Sequence, residues 1–568
     1  MSSSSKSVLG HPAGLFLLFF TEMWERFSFY GMRAILVFYL TSEIMGGKGW
    51  ERADAMIVLA FYTGFVYLTP ILGGYIADWK LGARKSVSIG AILMTLGHVS
   101  LALENDPTFY LGLLLLVLGN GFFKPNISAM VGQLYPDGSP MKDSGYTIFY
   151  MGINSGAFLG MTICGYLGET VSWSLGFGLA GIFMFFGLLL FWFGQNILGE
   201  IGLVPTTEVP KEAHTIPPST IVPFTQQDRS LLLLSGLLLV LALILWFLLP
   251  ISSIPLKSLL LLPFLGSIIA YIVLRLRKYP PIERDQLTVI SIITLFSVFF
   301  WLAFEQTSGS MAIFARDYTD RSLTSESSLS IFRIIAIAIT VLPMLILSGV
   351  LFKLSLSMGK QYLRSSLCAG LSFVTIWGII IWMNVQNFQS DSLEVPASWF
   401  GSLGAFFIIL LAPAFSSLWK RLAAKRWNPS GPIKFSIGFV LLGLGFVALV
   451  IGSWSIPQGA QTASVSMIWL VLAYFFHTTG ELSLSPVGLS LVNKLSPKRL
   501  LGVMFGVWFI GTYIANFLAG LMGSLMDQVI DAYSLSTFFL LFVGSSGIAA
   551  ILLVLLTPSL KRMMHGIN

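Results

Sequence analysis

The sequence predicts an all-α protein that crosses a membrane about sixteen times. Of its 568 residues, 55% are hydrophobic and only 10% are charged, and the mean hydropathy is +0.83. A soluble chain carries roughly a quarter of its residues as Asp, Glu, Lys and Arg. Apolar stretches of about 20 residues, long enough to cross a hydrocarbon core of roughly 30 Å, recur from end to end. Since no soluble domain fits between them, we expect a polytopic protein embedded in a lipid bilayer.

Short turns that are polar or marked by Gly and Pro separate the apolar stretches. The Ser-rich tail before the first stretch lacks the cleavage pattern of a signal peptide, so we expect the first helix to remain in the mature protein. The predicted spans are centred near Phe29, Val66, Leu93, Leu115, Ala157, Phe185, Val240, Ile268, Leu295, Ile339, Ile379, Leu410, Leu444, Phe475, Phe509 and Ile551.

Basic residues concentrate in every second loop, as is typical of loops that face the cytoplasm. Lys80, Arg84 and Lys85 lie in the first of these loops, and Lys561 and Arg562 follow the last span. The alternate loops are acidic, mixed or uncharged. The pattern predicts that both termini are cytoplasmic. It also accounts for the net charge of +7, so we do not expect a nucleic-acid partner.

The longest polar interruption, Gly199 to Arg229, contains five prolines and predicts a cytoplasmic connector between two helical blocks. Two very apolar helices follow, Ser230 to Leu249 and Leu256 to Arg275, and we interpret them as lipid-facing packing. A second pair, Ile331 to Leu354 and Ser366 to Val385, receives the same interpretation. Its exceptions lie near the helix ends and are Arg333, Asn384 and Asn387.

The first predicted helix carries four charges, Glu22, Glu25, Arg26 and Arg33. Offsets of three, four and seven residues place them on one broad face together with Tyr30. A charge inside a span is costly and usually faces a bundle interior or a water-filled path. A structural ion pair between Glu22 and Arg26 would explain two of these charges. Four are too many for packing alone, so we favour a functional interpretation.

Three other spans each carry one charge, Lys124, Glu305 and Glu481. Each could lie near an interface and reach water there, which suits a Lys better than a Glu among apolar neighbours. Together, a cation and two carboxylates on distant helices are typical of a site that holds a zwitterion. Buried carboxylates beside cations can also gain and lose protons, so the same residues could couple proton movement to solute movement. No metal or nucleotide cofactor is needed.

Other residues are interpreted more simply. His477 lies four residues before Glu481, and a packed histidine is favoured over a metal ligand because no third ligand is near in sequence. The aromatic residues that could line a cavity are Tyr30, Tyr62, Tyr67, Trp301 and Trp508, although membrane aromatics are more often packing residues. The sequence lacks a nucleotide-binding G-x-x-x-x-G-K-[ST] loop, an H-E-x-x-H motif and a G-x-S-x-G motif, so we do not expect an enzyme.

Several motifs resemble those of the proton-dependent oligopeptide transporters of the major facilitator superfamily, and they occur in family order across the chain. They are ExxERFSFYGMRA, GNGFFKPNIS, IFYMGINSGAF, FEQTSG, PASWFGSL and GELSLSPVGLSLVNKLSP, with the superfamily signature GGYIADWKLGARK. The resemblance implies the major facilitator fold, with two six-helix bundles, alternating access to a central site, and cotransport of protons with di- and tripeptides. Bacterial members often add a helix pair between the bundles.

The resemblance also implies roles for individual residues. Proton coupling is implied for Glu22, Glu25, Arg26, Lys124 and Glu305. Asn154 and Glu481 are implied partners of the peptide amino terminus, and Lys124 and Glu305 are expected to pair with each other. The full set of expected substrate-binding residues is Arg26, Tyr30, Arg33, Tyr67, Lys124, Asn154, Trp301, Glu305, Glu481 and Trp508.

Three departures from the family pattern matter. The usual two tyrosines of the first helix are Phe29 and Tyr30 here, which removes one hydroxyl. Gly404 replaces an Asn expected to hold the amino terminus, and a missing polar partner could weaken binding by about 1 to 3 kcal/mol. Residues 322–395 interrupt what should be a short connection between the seventh and eighth family helices.

We therefore expect an N-terminal six-helix bundle at 1–198, a linker with an inserted helix pair at 199–285, and a C-terminal bundle at 286–568 that holds a second inserted pair at about 322–395. The expected function is proton-coupled import of di- and tripeptides by a monomer in a bacterial inner (plasma) membrane. One alternative keeps the fold and the coupling but carries a modified peptide, an amino-acid derivative or an anion. Another is a sensor or scaffold that does not transport.

Overall fold

The computed structural model describes residues 7–136, 139, 141–204, 222–248 and 259–567. Within these residues, sixteen helices of 15 residues or more make up the molecule, which confirms the predicted all-α membrane fold. In the described part of the chain, twelve helical segments are long and apolar enough, by length and composition, to cross a membrane. The proline-rich stretch at 205–221 of the predicted connector lies outside the described residues.

Most of the helices are joined by short connections, and the longest connection lies between α6 and α7. The first six are α1 (Ala13–Thr41), α2 (Arg52–Ile76), α3 (Ala83–Ala102), α4 (Asp106–Gln133), α5 (Met141–Thr170) and α6 (Trp173–Gly194). The next six are α7 (Gln226–Leu248), α8 (Leu262–Leu276), α9 (Pro281–Phe304), the short α10 (Ser310–Ile313), α11 (Glu326–Met358) and α12 (Leu363–Gln389). The last six are α13 (Ala397–Ala424), α14 (Gly431–Ser453), α15 (Ile468–Leu495), α16 (Leu501–Ser524), the short α17 (Met526–Ala532) and α18 (Leu535–Met563).

Helix α1 lies at the centre of the N-terminal half and is buried on nearly every side, in contact with α5 and α6. Two glycines of α5 permit this approach. A Cβ at Gly156 would lie 2.1 Å from the carbonyl oxygen of Met23, and one at Gly160 would lie 2.2 Å from that of Phe27. Close backbone contact between small residues is how membrane helices gain packing energy. The four charges of α1 are thereby held inside protein.

The C-terminal half is built from α9 and α13 to α18. Helix α14 packs against α15 and α18, and α9 packs against α16 and α18. The two halves meet along two seams, α2 against α16 and α5 against α13. The inward faces of these helices are therefore the walls of the space between the halves.

The first inserted pair, α7 and α8, packs mainly against itself. Buried Asp228 forms ion pairs with Arg275 and Lys278, each at 3.0 Å. Most other described side chains of the pair are exposed or half-buried, which agrees with the lipid-facing interpretation. The loop between the two helices, 249–258, lies outside the described residues.

The second inserted pair, α11 and α12, departs from the prediction that it is only lipid-facing packing. Helix α12 packs along α6, and α11 contacts α1. Phe373 of α12 lies edge-on to Phe20 and Trp24 of α1, with ring centroids 5.6 and 5.7 Å apart. The hydroxyl of Ser365 donates to the carbonyl oxygen of Leu190 at 2.8 Å. The pair is therefore bound to the N-terminal half, although its sequence lies within the C-terminal half.

Short strands lie at the helix ends. At the base of the second pair, β4 (Ser322–Leu323) runs antiparallel to β5 (Leu393–Glu394). The remaining strands are β1 (Ser7–Val8) with β2 (His11–Pro12), and β3 (Thr319–Asp320) with β6 (Val465–Ser466).

Candidate functional site

A cavity of about 220 Å³ lies between the two halves. Side chains from α1, α2 and α5 form one wall, and side chains from α9, α13 and α15 form the other. Seven of the ten residues predicted to bind substrate line this cavity, namely Tyr30, Arg33, Tyr67, Asn154, Trp301, Glu305 and Glu481. A groove of about 500 Å³ on α11 and α12 is lined mostly by apolar side chains, with the amides Asn384 and Gln389, and has no charged lining residue.

An ion pair spans the cavity between the two halves. The guanidinium of Arg33, on α1, donates to the carboxylate of Glu305, which directly follows α9. Both side chains are buried. Glu305 begins a short 3-10 turn, Glu305–Ser308, at which the α-helical geometry of this span is interrupted. Interrupted helices at mid-membrane are typical of ion and substrate sites, because free backbone groups and charged side chains can face a cavity there.

A second charged cluster lies deeper in the N-terminal half and does not line the cavity. The guanidinium of Arg26 donates to both carboxylate oxygens of Glu25, and its Nη2 lies 2.7 Å from Glu25 Oε1. The Nε of Arg26 also lies 3.1 Å from Glu22 Oε1. The side-chain amide of Asn120, on α4, donates to Glu25 Oε1 at 3.1 Å. Glu22 Oε2 is buried without a hydrogen-bond partner among the described residues. Two carboxylates share one guanidinium, so one added proton would neutralise the cluster.

Lys124 lies between these two groups of charges. Its ammonium lies 4.2 Å from the ring centroid of Tyr67, in cation–π geometry. The expected pairing of Lys124 with Glu305 is not formed in this conformation, because the Glu305 carboxylate is bound by Arg33. The Lys124 side chain therefore has no carboxylate within ion-pair distance among the described residues, and it lies next to a cavity-lining tyrosine.

Glu481 lies on the C-terminal wall of the cavity. It makes no hydrogen bond or ion pair with a described residue, although it projects from the middle of α15. The carboxylate of Glu481 is thus available to a ligand. Asn154, the other expected partner of the peptide amino terminus, donates to the carbonyl oxygen of Tyr150, one turn earlier in α5, at 2.9 Å.

Trp508 lies outside the cavity that it was predicted to line, whereas His477 lies at the cavity and is packed against an aromatic ring. Trp508 is buried against α15, where a Cβ on Gly488 would lie 2.4 Å from its ring, so it is not among the cavity-lining residues. His477 does line the cavity, and its ring packs against Phe446 with centroids 4.6 Å apart, as the packed interpretation predicted.

Polar contacts join the halves at the end where α1 ends and α2 begins. Arg52 of α2 pairs with Asp317 at 2.8 Å and with Asp527 at 2.9 Å. At the α5–α13 seam, the carboxylate of Glu169 accepts hydrogen bonds from the N–H groups of Ala397 and Ser398, each at 2.9 Å. The cavity is therefore closed at this end, which we call the outer end.

Sequence reasoning missed Asn120 and Glu169. Asn120 stands four residues before Lys124, so helical spacing could have identified it as a neighbour. Glu169 lies next to a predicted loop, and nothing in the sequence distinguishes it from an exposed loop carboxylate.

The chain is similar to known membrane transporters over most of its length. The family model described as POT family matches residues 84–360 and 372–539. The peptide transporter YePEPT of Yersinia enterocolitica subsp. palearctica is 33% identical over 89% of this chain and 86% of its own length. A di-/tripeptide transporter of Lactococcus lactis subsp. cremoris is 31% identical over 90% of this chain and 88% of its own length. A crystal structure of a POT family transporter in complex with 5-aminolevulinic acid superposes with a TM-score of 0.72 at 26% identity, covering 98% of both chains.

Proposed function

The chain belongs to the POT family, and on that premise we propose that it imports di- or tripeptides together with protons by alternating access. The observation that carries this proposal is the separation of charge across the cavity. Arg33 and Lys124 lie on the side of the N-terminal half, and Glu481 lies on the C-terminal wall without a partner among the described residues. A zwitterion with an ammonium group at one end and a carboxylate at the other matches this arrangement.

Each end of a peptide has a chemically suitable partner. Glu481 accepts the ammonium group, and Arg33 or Lys124 binds the carboxylate, since a guanidinium can bind a carboxylate with two parallel hydrogen bonds. The cavity of about 220 Å³ is smaller than the roughly 300–1,000 Å³ of drug-sized sites, which favours a short peptide.

Proton coupling is proposed for the cluster of Glu22, Glu25 and Arg26. A proton on either carboxylate frees part of the Arg26 guanidinium and removes the excess negative charge of a buried site. Glu22 Oε2 is the oxygen with room for that proton, because it has no hydrogen-bond partner among the described residues. The substrate carboxylate would then compete with Glu305 for Arg33, and loss of that pair between the halves would allow them to rock.

A second candidate solute is a small amino-acid derivative. The related transporter bound to 5-aminolevulinic acid favours it, since that molecule also carries an amine and a carboxylate. The same coupling cluster would serve either solute. We further propose that the protein acts as a monomer in the plasma membrane of a bacterium, with both termini in the cytoplasm and the closed end facing outward.

The test is uptake of labelled dialanine by proteoliposomes that contain the purified protein, with an inward proton gradient. We expect accumulation above the external concentration, and loss of that accumulation when a protonophore is added. Uptake of 5-aminolevulinic acid without uptake of dialanine would establish the second candidate instead. Failure of both solutes would overturn the proposed function.

A further inference from the structure

The C-terminal wall of the cavity contains two glycines, Gly401 and Gly404, one turn apart on α13. Glycine in a helix interior costs about 1 kcal/mol relative to alanine, so its presence needs a reason. The commonest reason in a membrane protein is close helix packing, where a side chain would collide with a neighbouring backbone.

Close packing does not explain these two positions. A Cβ at Gly404 would meet only Thr478 Oγ1, at 4.0 Å, and a Cβ at Gly401 would meet only the sulfur of Met161, at 3.5 Å. At Gly165, on the helix facing α13, a Cβ would lie 2.1 Å from the hydroxyl oxygen of Ser398. Gly165 is thus required by packing, whereas Gly401 and Gly404 border empty space inside the cavity.

The empty space lies beside the group proposed to bind the ammonium end of the substrate. Thr478, the neighbour of Gly404, lies three residues before Glu481 on α15 and hence on the same helix face. A smaller recess adjoins it toward the outer end, with Arg33, Thr307 and Ser308 on one part of its border and Gly401, Met161 and Tyr474 on another. Met161 and Tyr474 offer a thioether and an aromatic ring, both of which pack well against apolar and aromatic groups.

We propose that Gly401 and Gly404 open a side pocket for a bulky apolar group, aromatic in the best case, carried on the same residue as the ammonium group of the substrate. This inference rests on the proposed function. In a dipeptide, the occupant is the side chain of the first residue. The transporter accordingly prefers phenylalanyl-alanine over dialanine, and over alanyl-phenylalanine, which places its ring away from Glu481.

The experiment measures competition of these three dipeptides with uptake of labelled dialanine in proteoliposomes. For the unaltered protein we expect phenylalanyl-alanine to compete at least tenfold more tightly than dialanine, because complete burial of a large apolar side chain is worth roughly tenfold or more in affinity. In Gly404→Leu, where the new side chain fills the pocket, we expect the ratio of the two inhibition constants to fall to about one.

Two control variants separate the pocket from effects on the helix. Gly404→Ala adds one carbon that the space accommodates, so we expect it to keep most of the preference. Gly378→Leu, in α12, adds the same side chain at a glycine that faces open space outside the cavity, and we expect no change in preference. If Gly404→Leu weakens competition by phenylalanyl-alanine and by dialanine by the same factor, the proposed pocket is wrong. It is also wrong if the unaltered protein shows no preference between the two dipeptides.

A binding measurement that does not depend on transport tests the pocket even if the proposed function is wrong. If the unaltered protein takes up no dialanine, the pocket is tested by thermal stabilisation of the detergent-purified protein with phenylalanine amide and alanine amide. The pocket predicts stabilisation at a tenfold lower concentration of phenylalanine amide, and loss of that difference in Gly404→Leu. Equal stabilisation by the two amides rejects the pocket.

Discussion

The carboxylate of Glu169, at the end of α5, accepts a hydrogen bond from the backbone N–H of Ala397, the first residue of α13, at 2.9 Å. Its second oxygen accepts from the N–H of Ser398 at the same distance. A helix N-terminus has free N–H groups and a partial positive charge, so a carboxylate suits it well. Here the cap comes from the other half of the molecule, so separation of the two halves at this end would break both hydrogen bonds.

The Glu169 cap predicts that Glu169→Gln destabilises the outer-closed state. The amide keeps one acceptor oxygen but loses the charge and the second acceptor, at a cost of about 1 to 3 kcal/mol. We expect faster labelling from the outside of a cysteine placed at Ala312, which borders the recess below the closed end. The reagent is a membrane-impermeant maleimide, used in a background that lacks Cys164 and Cys368.

The matched control is Glu51→Gln, which removes an exposed carboxylate at the same end. We expect its labelling rate to equal that of the unaltered protein. If Glu169→Gln labels no faster than the control, then the cap does not hold the outer end closed.

The buried cluster around Arg26 predicts that Glu22→Gln and Glu25→Gln each separate binding from coupling. A neutral amide mimics the protonated carboxylate, so the cluster loses its proton site while the cavity keeps its charged groups. We expect accumulation of dialanine driven by the proton gradient to fall to background, and counterflow of labelled dialanine to persist. Gradient-driven accumulation in both variants would show that coupling resides elsewhere.

The ion pair between Arg33 and Glu305 predicts strong coupling in a double-mutant cycle. Glu305→Ala leaves a buried guanidinium without its carboxylate, which we expect to lower the free energy of unfolding by about 1 to 3 kcal/mol. Removing both partners with Arg33→Ala and Glu305→Ala should restore most of that loss. The measurement is thermal unfolding in detergent of the unaltered protein, the two single variants and the double variant. If the effects of the two substitutions are additive, the ion pair contributes nothing to stability.

The packing of α12 on α6 predicts that the second inserted pair moves with the N-terminal half during transport. A Cβ at Gly194 would lie 2.8 Å from the hydroxyl oxygen of Ser365, so cysteines at these positions are within disulfide reach. We expect the oxidised Gly194→Cys, Ser365→Cys variant to keep its dialanine uptake. The cross-link joins parts that stay together.

The contrasting cross-link joins α2 and α16 across the two halves. A Cβ at Gly64 would lie 3.5 Å from the Cβ of Phe517, which suits a disulfide between Gly64→Cys and Phe517→Cys. We expect oxidation to stop uptake in this variant and a reductant to restore it. Reversible loss of uptake in the α6–α12 variant instead would show that the inserted pair moves relative to the N-terminal half.

Much of the architecture was predictable from the sequence because the membrane imposes simple rules. A span needs about 20 apolar residues, and charges inside a span must face protein or water. These rules identified the sixteen helices and the charged face of α1, and the motifs that resemble the oligopeptide transporters identified the family. The buried charges and the family resemblance together selected seven residues that line the cavity, without knowledge of any distance.

Only the tertiary structure decided which charges meet. Helical periodicity assigns residues to a face of one helix, but the partner of that face depends on how helices from separate parts of the chain are arranged. Glu305 therefore pairs with Arg33 rather than with Lys124, and Glu169 caps a helix that begins 228 residues later. The docking of α12 on α6 has the same origin, because apolar surfaces that face lipid and apolar surfaces that face protein have the same composition.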